Sequence, residues 1–298
     1  MAARPLEELR AAFARAGLIA LDLDECIFPG ISQEALGARL AAQLLRRPGC
    51  RRLVPRMLLG GAWRAWTRLK NLAGLPTPVP RLVAWFEWAL RGIPEEDFHR
   101  TASRLPRHSF PLAAETIALL AEHAPTGIVS LGLDVVARAY IEQFAGLSFF
   151  EANTLLFAPG PRGQRVFAGY DHTTALFTGE DKARALERRL TQLARDAPLS
   201  PPSLSGRGEG RATVPPSPCP LPGRERDGGR VPIVIGHNDD DVAMSRLARE
   251  RGGLAIGFNP PRRLWEEFDA IATGPDWEPV YALVAILGRP PRPGAAGR

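Results

Sequence analysis

An α/β fold, built on a doubly wound and mostly parallel sheet, is predicted for this 298-residue chain by three observations. Short apolar runs read as buried strands, and they alternate with amphipathic stretches that read as helices. Residues 198–230 break this alternation with a composition that cannot fold. Carboxylates, a serine and a lysine fall at strand ends and helix starts, positions that converge on one crevice in such a sheet.

Taken in order, residues 5–16 have helical spacing through Leu6, Leu9 and Phe13. Residues 17–24 (GLIALDLD) are an apolar run ending in carboxylates, the pattern of a buried parallel strand. Residues 31–107 are helical by pattern and hold Trp63, Trp66, Trp85 and Trp88. Pro76, Pro78 and Pro80 divide that region into two helical stretches. Alternation then resumes with a helix over 112–123, a strand over 126–131 carrying Ser130 at its end, and a helix over 135–144. Short strands and turns over 147–170 precede a strong helix over 181–195. A strand over 231–236, a helix over 242–251 and strands over 254–258 and 270–273 complete the pattern.

Between 198 and 230 there are eight prolines and six glycines, with no apolar periodicity. Such a composition cannot bury enough surface to offset its ordering entropy, so the segment is expected to be a disordered insertion. Its flanks would join without it, and a loop of this length adds little closure cost. The tail over 291–298 is expected to be disordered as well.

Composition narrows the function. Hydrophobic residues make up 45% and charged residues 23%, an ordinary globular balance. Three cysteines (Cys26, Cys50, Cys219) without a CxxC pair argue against a disulfide scaffold or a four-cysteine zinc site. The net charge is +6, yet only Lys70 and Lys182 are lysines. An excess carried by arginine, beside 29 Gly and 29 Pro, reads as compositional bias, and no nucleic-acid-binding signature accompanies it. The N-terminal residues lack an apolar signal-like stretch, and no run approaches a membrane span, so a cytoplasmic protein is expected. Residues 51–70 could form an interfacial face from Leu58, Trp63, Trp66 and Leu69. The plainer reading packs these side chains in the helical region or against the cleft, since Gly60-Gly61 would interrupt the helix. Membrane and nucleic-acid partners are therefore not expected.

Four features carry chemistry. Asp22 and Asp24 lie at i and i+2 directly after an apolar strand; buried carboxylates there imply a cation or a proton-transfer task. Ser130 ends another apolar strand, where its hydroxyl and the following backbone N–H groups suit an anion. Lys182 opens a helix, against the helix dipole. In IGHNDDDVAM (235–244), Asp239, Asp240 and Asp241 follow a buried strand; their mutual repulsion would be relieved by a hard cation.

In order and spacing these features resemble the haloacid dehalogenase-like phosphohydrolase superfamily. Within it, FFEANTLLF (149–157) and GGLAIGFN (252–259) are most similar to the phosphoserine phosphatase-like branch. The resemblance implies a core over 1–30, 108–197 and 231–290, with a helical cap over 31–107. It implies a metal-dependent phosphomonoester hydrolase acting on a small phosphorylated metabolite. Asp22 would be the nucleophile, and Asp24 the acid and then the base. Ser130, Gly132 and Lys182 would hold the phosphoryl group. Mg²⁺ would be held by Asp22, the Asp24 carbonyl and an acidic turn drawn from His237, Asp240 and Asp241.

Two departures stand out. His237 occupies the first acidic position of that turn, and imidazole suits transition ions such as Mn²⁺ better than Mg²⁺. Cys26 stands where a hydroxyl residue is common, and a thiol is the weaker donor. His237 keeps an alternative open: a degenerate member of the fold that binds a phosphorylated ligand or a protein without turnover. A phospho-receiver domain, which also uses an acceptor aspartate, fits less well because it lacks the second aspartate of the pair.

Overall fold

The computed structural model describes residues 4–47, 52–72, 79–161, 163–196 and 229–288. The predicted insertion lies almost wholly outside the described residues, and the 291–298 tail lies wholly outside them.

Helix α1 (Leu6–Ala14) leads into β1 (Ala16–Leu21), whose last four residues are buried. Helices α2 (Ser32–Leu45), α3 (Val54–Leu72), α4 (Val79–Leu90) and α5 (Glu95–Ala102) follow. Then come α6 (Ala113–Ala121), β2 (Thr126–Leu133), α7 (Asp134–Gln143) and β3 (Leu147–Asn153). Strands β4 (Leu155–Pro159) and β5 (Arg165–Tyr170) precede α8 (Gly179–Asp196). The chain continues with β6 (Val231–Gly236), α9 (Asp239–Glu250), β7 (Leu254–Phe258), β8 (Ala270–Ala272) and α10 (Glu278–Leu287). Six strands form one sheet in the order β3-β2-β1-β6-β7-β8, every pairing parallel, while β4 and β5 form a separate antiparallel hairpin. This is the predicted doubly wound architecture. The reversal of strand order beside β1 opens a crevice at the carboxyl ends.

Register fixes what lies there. Leu21 is level with Ile128 on β2 and with Ile235 on β6. Asp22 and His237 therefore leave neighbouring strands at the same sheet edge, with Ser130 beside them two residues past Ile128 on β2. The Asp22 N–H donates to the Ile235 carbonyl at 2.9 Å, continuing the ladder one residue past β1.

Several elements differ from expectation, each for a local reason. The helical region forms four described helices, not two. Pro80 is the second residue of α4, where a missing N–H costs nothing, and Pro76 and Pro78 lie outside the described residues. α4 and α5 are separated instead at Gly92, whose φ of +85° glycine adopts without strain, and at Pro94. Gly60-Gly61 does not interrupt α3. A Cβ on Gly60 would stand 2.7 Å from the Ala89 Cβ, so this glycine is where α3 closes on α4. Strand β2 runs past Ser130 to Leu133, with an irregularity between Val129 and Leu133. Helix α9 starts three residues early, because Asn238 Oδ1 accepts from the Asp240 N–H and Asp241 Oδ2 accepts from the Asn238 N–H. Helix α10 went unpredicted: EPVYALVAIL is apolar nearly all round and shows no period.

The hairpin β4–β5 joins the helices rather than the sheet. The Phe167 N–H donates to the Ile93 carbonyl and the Gly92 N–H to the Phe167 carbonyl, both at 2.9 Å. Phe98, Phe157 and Phe167 form an aromatic cluster across this junction.

Candidate active site

Lys182 is the centre of the site. It is 1% exposed, and its Nζ donates to Asp22 Oδ1 at 2.8 Å and Asp241 Oδ1 at 2.5 Å. The three residues come from the end of β1, the first turn of α8 and the first turn of α9. Burial acts to lower the lysine pKa, but Asp22 and then Asp241 outweigh it and hold the ammonium firmly charged. Burial acts to raise the Asp241 carboxyl; Lys182 and the hydrogen bonds of His237 outweigh it, so it lies below the usual carboxylate range. Buried charges of this kind persist only when paired, and removing one partner is costly.

His237 follows β6 directly. Its backbone N–H donates to Asp241 Oδ2 at 2.8 Å. Its Nε2 lies 3.0 Å from Glu25 Oε2. Its Nδ1 is buried without a hydrogen bond, 3.4 Å from Asp22 Oδ2 and 3.6 Å from Asp241 Oδ2. Burial acts to lower the imidazole, but Asp22 and Asp241 push it up to about 10. Asp22, His237 and Asp241 place one ligand atom each within 4.8 Å of one another. An unpartnered buried nitrogen facing two carboxylates fits a divalent cation. The carboxylate on Nε2 would fix the tautomer with Nδ1 free to ligate. Two oxygens and one nitrogen suit a first-row transition ion better than Mg²⁺.

Asp24 faces the same edge but is not in that group of ligand atoms. Its Oδ1 accepts the Ser32 N–H at 2.8 Å. Burial pushes its carboxyl up to about 6, opposed by Ser32 and assisted by the charge of Asp22. Asp240 is exposed and also outside the group, and Asp239 pairs with Arg263 on the surface. Although the residue reaches solvent, the protein packed around its carboxyl and the neighbouring aspartates raise the Asp240 carboxyl, with Lys182 opposing.

Ser130 is 1% exposed, and its Oγ accepts the Gly132 N–H at 3.0 Å, which leaves the hydroxyl proton to donate. A Cβ on Gly132 would lie 3.1 Å from Ser130 Oγ and 3.8 Å from a Leu23 methyl, so only glycine keeps that hydroxyl uncrowded. The Gly132 N–H is already engaged with Ser130.

Sequence reasoning missed three contributors. Glu25, in the left-handed region at φ +57°, reaches His237. Ser32 opens α2 and holds Asp24. Asn153 binds the carbonyls of Leu131 and Leu176 and the Leu176 N–H, tying the end of β2 to the segment before α8. Only Asn153, inside FFEANTLLF, carried a local signal. Cys26 is buried and donates weakly to the Ile235 carbonyl at 3.9 Å, while its own carbonyl accepts from Trp277 Nε1 at 2.7 Å. These two bonds tie the loop after Asp24 to β6 and to Trp277.

No family model matches the chain, and no curated protein does. Solved structures are similar. The probable phosphoserine phosphatase from Vibrio cholerae matches with a TM-score of 0.58 at 15% identity, over 95% of this chain and 68% of that one. The cytosolic 5'-nucleotidase IIIB bound to cytidine matches at 0.56 and 15%, over 94% and 88% of the two chains. A phosphoserine phosphatase in apo form matches at 0.55 and 16%, over 90% and 98%. At such identities the likeness is one of fold: the chain has the haloacid dehalogenase-like fold of these phosphatases.

Proposed function

We propose that the chain is a metal-dependent phosphomonoester hydrolase that works through an aspartyl-phosphate on a small phosphorylated metabolite, with α2–α5 as its cap. The observation that carries this reading is the buried Lys182 bridging Asp22 and Asp241 at the carboxyl edge of β1. Lys182 holds Asp22 Oδ1 and leaves Oδ2 to attack phosphorus, forming the acyl-phosphate bond as the ester P–O bond breaks. The Asp24 carboxyl, still partly protonated near neutral pH, delivers its proton to the departing alkoxide. As a carboxylate it then takes a proton from the water that attacks phosphorus, and the bond to Asp22 breaks to release phosphate. The Ser130 hydroxyl and the Lys182 ammonium bind the phosphoryl oxygens throughout. Asp22, His237 and Asp241 would hold the divalent ion, which neutralises charge developing on the phosphoryl group.

One observation favours a second reading. His237 Nδ1 lies 3.4 Å from Asp22 and 3.6 Å from Asp241, and those two carboxylates favour its protonated form, which would offset the charge a cation would offset. A chain content with that arrangement would bind a phosphorylated ligand without turning it over.

Phosphate release from a panel of small phosphomonoesters, with Mg²⁺, Mn²⁺ or EDTA, separates the two. Release that needs a metal and disappears in Asp22→Asn supports the hydrolase. Silence from the natural chain, with activity gained by His237→Asp, supports the non-hydrolysing binder.

A further inference from the structure

Helix α3 presents an apolar stripe to water. Leu58 is 61% exposed, and Leu59, Trp66 and Leu69 are each 58% exposed, with Ala62 and Ala65 exposed between them. Positions 58, 62, 66 and 69 follow one helical face. The opposite side of α3 does the packing: Val54, Met57 and Thr67 are buried, and Trp63 stacks on Trp85 of α4 with centroids 4.9 Å apart. Trp88, 40% exposed, packs edge-on against Trp85. The exposed side chains thus serve neither the helical core nor the cleft.

Charge is segregated in the helical region that carries this stripe. Residues 31–107 carry 14 basic and five acidic side chains, while the rest of the chain carries 24 basic and 27 acidic. The positive net charge of the protein therefore comes entirely from this helical region. Between 52 and 92 the only acid is Glu87, and it is engaged by the Tyr170 N–H and His172. Arg52 and Arg81 are exposed, and Lys70 is half-buried.

We propose that α3 docks this protein on an anionic membrane surface, lying in the interface with Leu58, Trp66 and Leu69 in the lipid and Arg52, Lys70 and Arg81 against the headgroups. A Leu/Trp face bordered by arginine and lysine fits that surface chemically. No described helix is long and apolar enough to cross a membrane. Arg64 pairs with Glu34 and Arg56 donates to the Arg91 carbonyl, so both secure the packed side of α3 and leave Lys70, Arg52 and Arg81 for the surface. The charge segregation selects lipid over a second copy of this chain, because two such positive faces repel. The inference is independent of the hydrolase reading.

The test is co-sedimentation of the full chain with phosphatidylcholine vesicles, with and without phosphatidylglycerol. Binding to the anionic vesicles should be at least about tenfold tighter and should weaken in high salt. The triple variant Leu58→Ser, Trp66→Ser, Leu69→Ser should lose that binding by about tenfold or more. Equal binding of variant and natural chain would overturn the proposal. So would an absence of binding, including the case where sedimentation velocity finds a dimer that the triple variant abolishes. If the triple variant fails to fold, tryptophan quenching by bromine-labelled lipids in the natural chain and in Trp66→Phe decides. Quenching that falls in Trp66→Phe supports the docking, and quenching that is unchanged refutes it.

Discussion

At the carboxyl edge of the sheet, Asp22, Asp241, Lys182 and His237 are packed out of water and answer one another's charge within a few ångströms. In α3 and α4 the opposite holds. Arg64 pairs with Glu34 of α2, but α3 and α4 themselves hold only one acid, Glu87, against an excess of basic residues, and large apolar side chains face solvent. The first region needs every member, because each remaining charge would be left unpaired in a low dielectric. The second keeps exposed leucines and tryptophan that contribute little to folding, since surface positions away from special features are nearly neutral. Residues a fold does not need are the ones to question for an external partner.

The contrast can be broken or sharpened by experiment. The largest effect should come from Asp22→Asn, which removes the nucleophile with little change of shape. Phosphate release should fall by about 10⁴-fold or more, measured as kcat on the best substrate of the panel. Lys182→Met should destabilise the fold by about 3–5 kcal/mol in urea titrations, because Asp22 and Asp241 lose their shared cation. A loss of less than about 1 kcal/mol would mean that water or His237 takes over.

Phosphorylation of Asp22 should depend on pH through Asp24. Its carboxyl titrates near 6, and the protonated form does the work in that step. The burst rate in rapid-quench experiments should therefore fall about tenfold per pH unit above that value. A rate that is flat from pH 6 to 8 would remove Asp24 as the acid.

In the helical region the effects should be smaller. Gly60→Val places a side chain against Ala89 and should cost about 1–3 kcal/mol, read from the thermal midpoint. Leu58→Ser and Leu69→Ser should each change stability by less than about 0.5 kcal/mol. A loss near that of a buried leucine, about 2–5 kcal/mol, would show that the stripe is core and would end the contrast.

Much of this was legible in the sequence, and the limits were physical. The strands were readable because parallel strands buried on both faces are continuous apolar runs, as in LIAL and VPIVIG. Asp22, Asp24 and Ser130 stood out because polar residues ending such runs need a reason to be there, and Lys182 because it opens a helix against the dipole. The choice between Asp240 and Asp241 was not readable. Adjacent helical residues point roughly 100° apart, so one of them faces Lys182 and the other faces water, and the Asn238 cap sets which. The Leu/Trp periodicity of α3 was visible too. Which members of it are exposed depends on α4, because Trp63 turns inward to Trp85 while Trp66 is left outside.

What the sequence determined by itself was local: strand and helix periods, the carboxylates at strand ends, and the imbalance of charge between 31–107 and the rest. Only the tertiary structure decided which groups meet. Lys182 reaches across 160 residues to Asp22, and His237 across 212 to Glu25. Such contacts are set by strand order and register in the sheet. A period of two or 3.6 residues carries no record of them, because it describes how a segment faces its surroundings and not which segment it faces.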